Sequence, residues 1–409
     1  MSVAATATKP KRTYATYWSI VWEQFRKQLS SYVALWIIGL LFAIAIYAPV
    51  VALGLPFLWS DETGLSSPWL HALLLNRNVF ESSIDLFFNL LLVLSPFVLG
   101  SWCFARRRWV EAVSVAEVQA GARAFRRFLG TWFLIILALF VAVVLSSPRS
   151  ALLDYRALAF AGDGVWGVFP PLRINYGDTL HGVEGPGIHH LLGVDNAGRD
   201  IFVRLLYGTR VSLSIGVIAV GIYITIGTVL GSLAGYFGGR VDLVVVRIIE
   251  IFLCFPSFFL ILTFIGFLDR PSILWVMVII GLVGWTQPAR LVRGEFLRLR
   301  NIDFVSAARA CGLRPTRIIF RHILPNALGP VLVNATFGVA SAVLVESSLS
   351  FLGFGDPTLP SWGRILSYGR DTGDLGMMLI AGMAIFVTVS VFNLAGEGIR
   401  DALDPKLRK

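Results

Sequence analysis

The chain has 409 residues, of which 56% are hydrophobic and 15% are charged. A soluble globular protein carries roughly a quarter charged residues, so this composition excludes an ordinary soluble domain and indicates a membrane protein. The formal net charge of +10 would also suit a nucleic-acid-binding protein. Because the positive residues lie beside apolar segments, where they orient a chain in a bilayer, we expect no nucleic-acid partner.

Eight apolar segments are long enough, or nearly so, to cross a membrane. A helix needs about 20 apolar residues to cross a hydrocarbon core of about 30 Å. The predicted fold class is therefore an all-α transmembrane protein, a polytopic helical bundle with about eight spans. The second segment is interrupted by Ser95-Pro96. The spans are predicted at 31–54, 84–105, 129–147, 210–235, 243–267, 272–292, 327–349 and 376–397.

The basic residues divide the segments between these spans into two sets. Eight spans place all the arginine- and lysine-rich segments on one side, which is the cytosolic side by the positive-inside rule. Both termini are therefore predicted to be cytosolic. The cytosolic segments are a lead-in at 1–30, a loop at 106–128, a loop at 294–326 and a tail at 398–409. The acid-balanced extracytoplasmic segments are 55–83, 148–209 and 350–375, which separates N-terminal spans within 31–147 from a transmembrane core at 210–397.

Three segments have patterns with more than one interpretation. Residues 18–29 have apolar residues at helical spacing, which fits either a short amphipathic helix on the membrane surface or a plain anchoring flank. Residues 106–128 are most simply an interfacial helix, with a docking surface as the alternative. Residues 216–235 are rich in glycine, and small residues let membrane helices approach closely. Those glycines pack either within this chain or against a partner subunit.

Cysteines and histidines indicate neither a disulfide framework nor a metal site. Cys103, Cys254 and Cys311 offer no obvious extracytoplasmic pair. His189 and His190 are adjacent, and neighbouring side chains on a helix or strand point in different directions, so they make a poor two-ligand site. We expect no metal and no cofactor bound by this chain. The segment that holds the two histidines is read as a cap packed on the membrane part.

Ionisable residues within spans are candidates for functional sites. Asp242, Arg247 and Glu250 lie at the start of the fifth span, where the last two can pair along a helix. An anchor at the cytosolic interface is the favoured interpretation, with a role in gating second. Glu346 lies about 30 Å along the seventh span, where it meets either a substrate portal or water.

Two prolines predict bends in the core. Pro256 lies within the fifth span, and Gln287-Pro288 lies within the sixth. Bends favour a transport pathway, although they also occur in plain bundles. Glu346 and Gln287 are therefore weak candidates for the substrate pathway, whose residues are otherwise unknown.

The segment 303–326 is polar and basic although it lies between two spans. Asp303 is predicted to N-cap a helix that ends at Cys311, and Gly312 supplies the stop, because glycine adopts positive φ without penalty. The predicted helix places four apolar residues on one face at helical spacing, and two small alanines make that face shallow enough to seat against another surface. These four residues are Phe304, Ala307, Ala308 and Cys311.

A second short helix is predicted to follow. Pro315 suits its first turn, and Pro325-Asn326 is expected to break it just before the seventh span. Its predicted apolar side carries Ile318, Ile319, Phe320 and Ile323. An ordinary amphipathic loop on the bilayer remains the alternative, but two capped helices with a defined break favour a docking element.

This segment resembles the cytoplasmic "EAA" loop of ATP-binding-cassette (ABC) importer permeases. The resemblance rests on an Ala-Ala pair, a glycine five residues after the first alanine and a following Leu-Pro, which are Ala307, Ala308, Gly312, Leu324 and Pro325. Further motifs resemble the dipeptide, oligopeptide and nickel class of these inner-membrane permeases. They are GVDNAGRDIFVRLLYGTRVSL (193–213), GYFGGRVD (235–242), RHILPN (321–326), LSFLGFGDPTLPSWG (349–363) and RDALDPKLR (400–408).

The chain also departs from that family. Ser306 stands where the loop usually has glutamate, which would complete a capping box with Asp303. His322 stands where the family usually has isoleucine. The family usually has one span before its core, whereas three are predicted here, so the extra hairpin is outside what the resemblance explains.

The resemblance implies a set of partners and a site. The family pairs with a second permease subunit, alike or different, receives solute from an extracytoplasmic solute-binding protein, and docks two ABC ATPase subunits, which bind the ATP and magnesium. It implies a bacterial plasma (inner) membrane location and import of peptides or peptide-like solutes, with dipeptide, oligopeptide, nickel, opine and peptide antibiotic all open. The implied ATPase-coupling residues are Asp303, Ser306, Ala307, Ala308, Gly312, Pro315, Leu324 and Pro325.

Two other classes compete with this interpretation. An ATP-independent secondary transporter or channel would more often show internal repeats, broken helices or midplane charges. A membrane enzyme would need clustered acid, base or metal residues. The sequence has no G-x-x-x-x-G-K-[ST] phosphate loop, so we expect a transport subunit that is not itself an ATPase.

Overall fold

A computed structural model describes residues 17–61, 64–80, 82–109, 115–146, 155, 157–158, 166–179, 187, 190–269 and 272–404. Within these ranges, seven helices are long and apolar enough to cross a membrane. A bent pair of shorter helices raises the number to eight if the pair is one span. The predicted class, a polytopic helical membrane bundle with about eight spans, is confirmed.

The first two helices are α1 (Tyr17–Lys27) and α2 (Leu29–Val51). The helix predicted near 18–29 therefore forms. Its apolar side packs against the end of the last helix, where Phe25 is buried beside Ala402. Gln28 Nε2 donates to Asp401 Oδ2 at 2.6 Å, which ties the start of the chain to its end.

The additional hairpin consists of α4 (Ser83–Trp109) and α5 (Val115–Ser146). Pro96 lies inside α4, which stays continuous, so the expected interruption does not occur. The basic segment 106–128 is largely built from the ends of these two long helices rather than a separate interfacial helix, and residues 110–114 lie outside the described residues. Much of α5 is exposed apolar surface, as expected for a helix that faces lipid.

A small antiparallel sheet, which the sequence patterns did not predict, joins two segments distant in the chain. It has the order β2-β1-β3, with β1 at Leu58–Asp61, β2 at Gly64–Ser66 and β3 at Trp166–Val168. Trp59 of β1 is buried. A short helix, α3 (Pro68–Leu75), follows β2 and is N-capped by Ser67.

The central helix of the core is α6 (Ile201–Phe237). It begins inside the segment expected to be extracytoplasmic, because Asp200 caps it by accepting the backbone N–H of Val203 at 2.8 Å. It packs against α2 and several later helices. Those later helices are α9 (Ile273–Gly284), α10 (Thr286–Leu299) and α12 (Leu324–Phe351).

The glycines of α6 mostly serve packing within the chain. A Cβ built on Gly227, Gly231 or Gly235 would lie 2.5–2.9 Å from atoms of α10, so the two backbones touch there. Gly216 makes a similar approach to Val339 of α12. A Cβ on Gly221 would meet nothing within 4 Å, so this glycine is left open in the single chain.

We expect Gly231→Ala to destabilise the protein by about 1–3 kcal/mol, because the methyl group would overpack the contact with α10. The Cβ would stand 2.5 Å from the Ala289 carbonyl oxygen, which is backbone and cannot turn away. Thermal unfolding of the purified chain in detergent measures the change. Gly221→Ala on the same helix is the matched control and should unfold at or above the wild-type temperature.

Two proline-containing regions of the core are broken, as predicted. The fifth span consists of two helices, α7 (Gly239–Leu253) and α8 (Ser257–Gly266), with an angle of 80° between them. Pro256 is the last residue of the break. The break lies inside the span expected at 243–267, at the proline predicted to bend it. The sixth span is interrupted at Trp285, between α9 and α10, where Pro288 has no N–H to donate to the Gly284 carbonyl.

The chain ends with α13 (Trp362–Thr372) and α14 (Leu375–Leu403). The hydroxyl of Ser361 caps α13 by accepting the Arg364 backbone N–H at 3.2 Å. Helix α13 packs against both α12 and α14. Trp362 Nε1 donates to the Leu205 carbonyl at 3.1 Å. Helix α13 therefore lies beside the first turns of α6, near Ile201.

Candidate functional site

The candidate coupling segment begins with helix α11, Asp303–Ala310. The predicted N-cap is wrong: Asp303 is the first helical residue, and Ile302 occupies the cap position without a side-chain hydrogen bond. Ser306 consequently lies one position later than a capping box requires. The carboxylate of Asp303 still lies in the first turn, where the positive end of the helix dipole stabilises a negative charge.

The end of α11 agrees with the prediction. Gly312 has φ 71°, in the left-handed region that a side chain would strain. Its N–H donates to the Arg309 carbonyl at 2.9 Å, and the N–H of Leu313 donates to the Ala308 carbonyl at 3.2 Å. These two bonds form a Schellman motif, which stops the helix and turns the chain sharply.

The faces of α11 differ from the predicted apolar face. Val305 and Ala308 are buried against the chain's own core, whereas Phe304, Ala307 and Cys311 are exposed. The two alanines therefore lie on different faces of the helix: Ala308 packs against the core, and Ala307 is exposed. A shallow outward surface remains, made of Ser306, Ala307 and Ala310 beside Phe304.

The second helix of the pair is not separate from the seventh span. A single turn, Pro315–Arg317, leads into a π-helix, Ile318–Ile323, which runs directly into α12. The break expected at Pro325-Asn326 is therefore wrong; the wider π turn lets the chain pass a residue that has no N–H. Leu324 lies at the start of α12 with Pro325 at its first turn. Phe320, placed on the apolar side by the sequence, is exposed.

The coupling segment packs against the core helices α10 and α12. Ile318, Ile319 and Ile323 are buried in a cluster that lines α10 and α12. The other buried members of that cluster are Val292, Phe296, Leu299, Val305, Ala308, Ala327 and Val331. Rigid apolar packing of this kind joins α11 mechanically to both helices.

Charged side chains add a second set of contacts to α6. The Arg309 guanidinium lies 5.2 Å from the ring centre of Tyr236, at the end of α6. Arg300 Nη1 donates to the Gly235 carbonyl at 3.2 Å. A cation over an aromatic ring contributes about 0.5–1 kcal/mol at an exposed site. These contacts join α11 and the end of α10 to α6.

The ionisable residues of the fifth span have two different partners. Arg247 and Glu250 pair at 2.6 Å, as predicted, but both are exposed. Asp242 instead accepts two hydrogen bonds from Arg293, with Arg293 Nη2 at 2.8 Å from Oδ2. This bidentate pair fastens the start of α7 to α10, and sequence spacing gave no signal for it, because the partners are far apart in the chain.

The two weak pathway candidates lie in different environments. Glu346 is 1% exposed, so the hydrated alternative is wrong for it within this chain. Its Oε1 accepts the Ser350 hydroxyl at 2.7 Å, and its Oε2 has no partner. Gln287 is exposed on α10. Their roles in a substrate pathway stay predictions.

One buried ion pair was missed by the sequence reasoning. Arg210 of α6 is completely buried, and its Nη1 donates to Asp85 Oδ1 of α4 at 3.1 Å. Its Nε donates to the Ala45 carbonyl of α2 at 2.6 Å. Both charges lie in predicted spans, which could have marked each as a candidate for a functional or paired residue, although not as the other's partner. The pair joins the additional hairpin to the core.

The described residues contain no group of three or more side chains that could hold a metal ion. His190 Nδ1 lies 2.8 Å from Asp200 Oδ2, so this histidine supports the start of α6. His189 lies outside the described residues.

Comparison with known proteins places this arrangement in a family. Residues 227–409 match the family described as binding-protein-dependent transport system inner membrane component. Residues 16–63 match the N-terminal transmembrane domain of oligopeptide transport permease C. The dipeptide permease DppC of Alkalihalophilus pseudofirmus is 40% identical over 248 residues, which cover 59% of this chain and 81% of the relative. The chain belongs to this family of ABC importer permeases.

Other relatives of this permease have similar names. The oligopeptide permease OppC of Bacillus subtilis is 36% identical over 280 residues, or 65% of this chain and 92% of the relative. An inward-facing structure of the MetNI methionine ABC transporter is 22% identical, with a TM-score of 0.42. The match covers 49% of this chain and 97% of the chain in that structure. The N-terminal departure is the one expected: α1 and α2 fall in a matched range, whereas the additional α4–α5 hairpin lies between the two matched ranges.

Proposed function

We propose that this permease is the transmembrane subunit of an ATP-driven importer of peptides or peptide-like solutes. The names of its relatives, which are dipeptide and oligopeptide permeases, support the substrate class. In the proposed complex, a second permease completes the pathway and an extracytoplasmic binding protein delivers the solute. Both termini of this chain face the cytosol of a bacterium, consistent with the distribution of its basic residues.

The observation that carries the proposal is the outward surface of α11. It exposes small side chains, and the basic segment around it contributes Arg314, Arg317 and Arg321, which are also exposed. The occupant we propose is an ABC ATPase subunit, with a second one beneath the partner permease. ATP and magnesium are bound by those ATPases, and this chain supplies no nucleotide-binding residue.

The contacts of α11 suggest how closure of the ATPases reaches the pathway. Movement of α11 is passed to α10 and α12 by the buried isoleucines of the π-helix and to α6 by Arg309 on Tyr236. These three helices pack on one another, so a shift at their cytosolic ends changes their packing as a unit. A secondary transporter or channel would have no use for such a surface, which makes it the weaker alternative.

Co-purification tests the proposal. The tagged chain, expressed with its genomic neighbours and extracted in mild detergent, should bring down a second permease and ATPase subunits with ATPase activity. Ala307→Phe should reduce the recovered ATPase by about tenfold or more, because a ring on the exposed surface costs the docked state at least about 1.4 kcal/mol. Ala307 is exposed, so this variant should keep its own fold.

Ala138→Phe is the matched control, because Ala138 is equally exposed on α5, far from α11 in the chain. It should recover wild-type amounts of ATPase. A chain that purifies alone and still moves solute in vesicles without ATP would replace the proposal with a secondary transporter.

A further inference from the structure

A cluster of guanidinium groups lies where α6 and α13 begin, at the opposite end of α6 from the coupling segment. Three arginines surround the ring of Tyr368, with guanidinium carbons 4.7 Å (Arg199), 5.6 Å (Arg204) and 5.3 Å (Arg364) from its centre. Arg204 is 32 residues before Tyr236, so the cluster is about 48 Å from the contact with Arg309. We call these four residues the Tyr368 cluster.

One carboxylate, Asp195, accompanies the Tyr368 cluster among the described residues. Its Oδ2 accepts Arg199 Nε at 2.9 Å and Nη2 at 2.8 Å, and its Oδ1 accepts two backbone N–H groups of its own loop. Arg204 Nε is 3.9 Å from Oδ2, beyond hydrogen-bond distance. Asp195 is therefore shared by its own loop, Arg199 and an ion pair with Arg204, whereas Arg364 pairs with no carboxylate among the described residues.

Arg204 and Arg364 both have guanidinium atoms withdrawn from solvent. The Arg204 side chain is 4% exposed. Arg364 Nε is buried without a hydrogen-bond partner, and its Nη2 makes only a long bond of 3.3 Å to the Tyr368 hydroxyl. One carboxylate thus faces three guanidinium groups, and an excess of partly buried positive charge favours a further anion.

The pKa of Tyr368 is shifted by the same positive charges. Burial alone raises the pKa of Tyr368, but its hydrogen bond with Arg199 and the charges of Arg199 and Arg364 lower that pKa below its ordinary value overall. Arg199, Arg364 and Tyr368 are each half-buried, so the cluster can be reached from the surface. The cluster therefore carries an excess of positive charge and one guanidinium nitrogen, Arg364 Nε, without a hydrogen-bond partner.

We propose that the Tyr368 cluster binds a carboxylate, held by Arg364 and Arg204. A guanidinium presents Nε and Nη as a planar fork that matches the two oxygens of a carboxylate, and the fork of Arg364 has its Nε unused. The bond from Arg364 to the Tyr368 hydroxyl is long enough to be exchanged for the ligand. The inference concerns binding by this chain alone and does not rest on the proposed import.

Isothermal titration of the full-length chain in detergent, at low chloride, tests it. Acetate and glycylglycine should bind saturably, whereas glycylglycinamide, which lacks the carboxylate, should not. If glycylglycine binds more tightly than acetate, the ligand is a peptide terminus; if they bind equally, the site takes any small carboxylate. Equal binding of the dipeptide and its amide, or tighter binding of inorganic phosphate than of either carboxylate, would overturn the assignment.

Variants of Arg364 and Arg370 test whether binding requires this site or only positive charge. Arg364→Gln should weaken glycylglycine binding about tenfold or more, and Arg364→Lys, which keeps the charge but loses the fork, should weaken it less. Arg370→Gln is the matched control on the same helix, because Arg370 is exposed and already paired with Asp371 at 2.8 Å. Wild-type affinity in both Arg364 variants, each folded as judged by unfolding temperature, would refute the proposal.

Discussion

Gly312→Val is expected to abolish ATP-driven uptake while leaving membrane insertion intact. Gly312 has φ 71° and completes the Schellman motif that ends α11. A β-branched side chain in this conformation costs about 1–3 kcal/mol, which favours a different turn by a factor of about five to 150. Because this turn sets how α11 is joined to the π-helix that follows it, a different turn misplaces the surface proposed to meet the ATPase.

The measurement is uptake of a labelled peptide into vesicles beside ATP hydrolysis in the same preparation. We expect hydrolysis that no longer drives uptake. A Cβ on Gly312 would meet nothing within 4 Å, so the effect arises from the backbone and not from a clash. Gly294→Val is the control, because Gly294 is also uncrowded but lies within α10 with ordinary helical φ. Normal uptake by Gly312→Val would count decisively against the proposed role of the turn.

Asp85→Ala is expected to lower the free energy of unfolding by about 3–5 kcal/mol, because it leaves the Arg210 guanidinium buried without its counter-charge. Arg210 is completely buried and also contacts the aromatic rings of Tyr207 and Phe88. We expect poor yield, a lowered unfolding temperature and early proteolysis within the hairpin.

Glu250→Ala provides the comparison for that prediction. Glu250 and Arg247 form a pair of similar chemistry, but both side chains are more than half exposed, and exposed pairs contribute about 0–1 kcal/mol. The two alanine variants should therefore differ clearly in unfolding temperature. The double variant Asp85→Leu with Arg210→Met removes both charges and should recover much of the stability. Equal stability of Asp85→Ala and wild type would mean that the hairpin is held by other contacts.

The spans were readable from the sequence because the bilayer leaves little choice. A backbone without water must satisfy its own hydrogen bonds, so a long apolar run becomes a helix wherever it lies in the fold. Local stops were equally readable: Gly312 ends α11 and Pro256 breaks the fifth span, since both act on their own backbone. Pro325 failed as a stop because a π turn, favoured by packing of the isoleucines beside it, carried the helix past it.

What the sequence by itself determined was the class of protein, its spans, its basic segments and the motifs of its family. The tertiary structure decided which residues meet: that Ala308 faces inward and Ala307 outward, that Arg210 finds Asp85, and that three arginines surround Tyr368. Helical periodicity places residues on a face but does not say what covers that face. Charges far apart in the chain pair only after helices pack, so their partners follow from the fold and not from spacing.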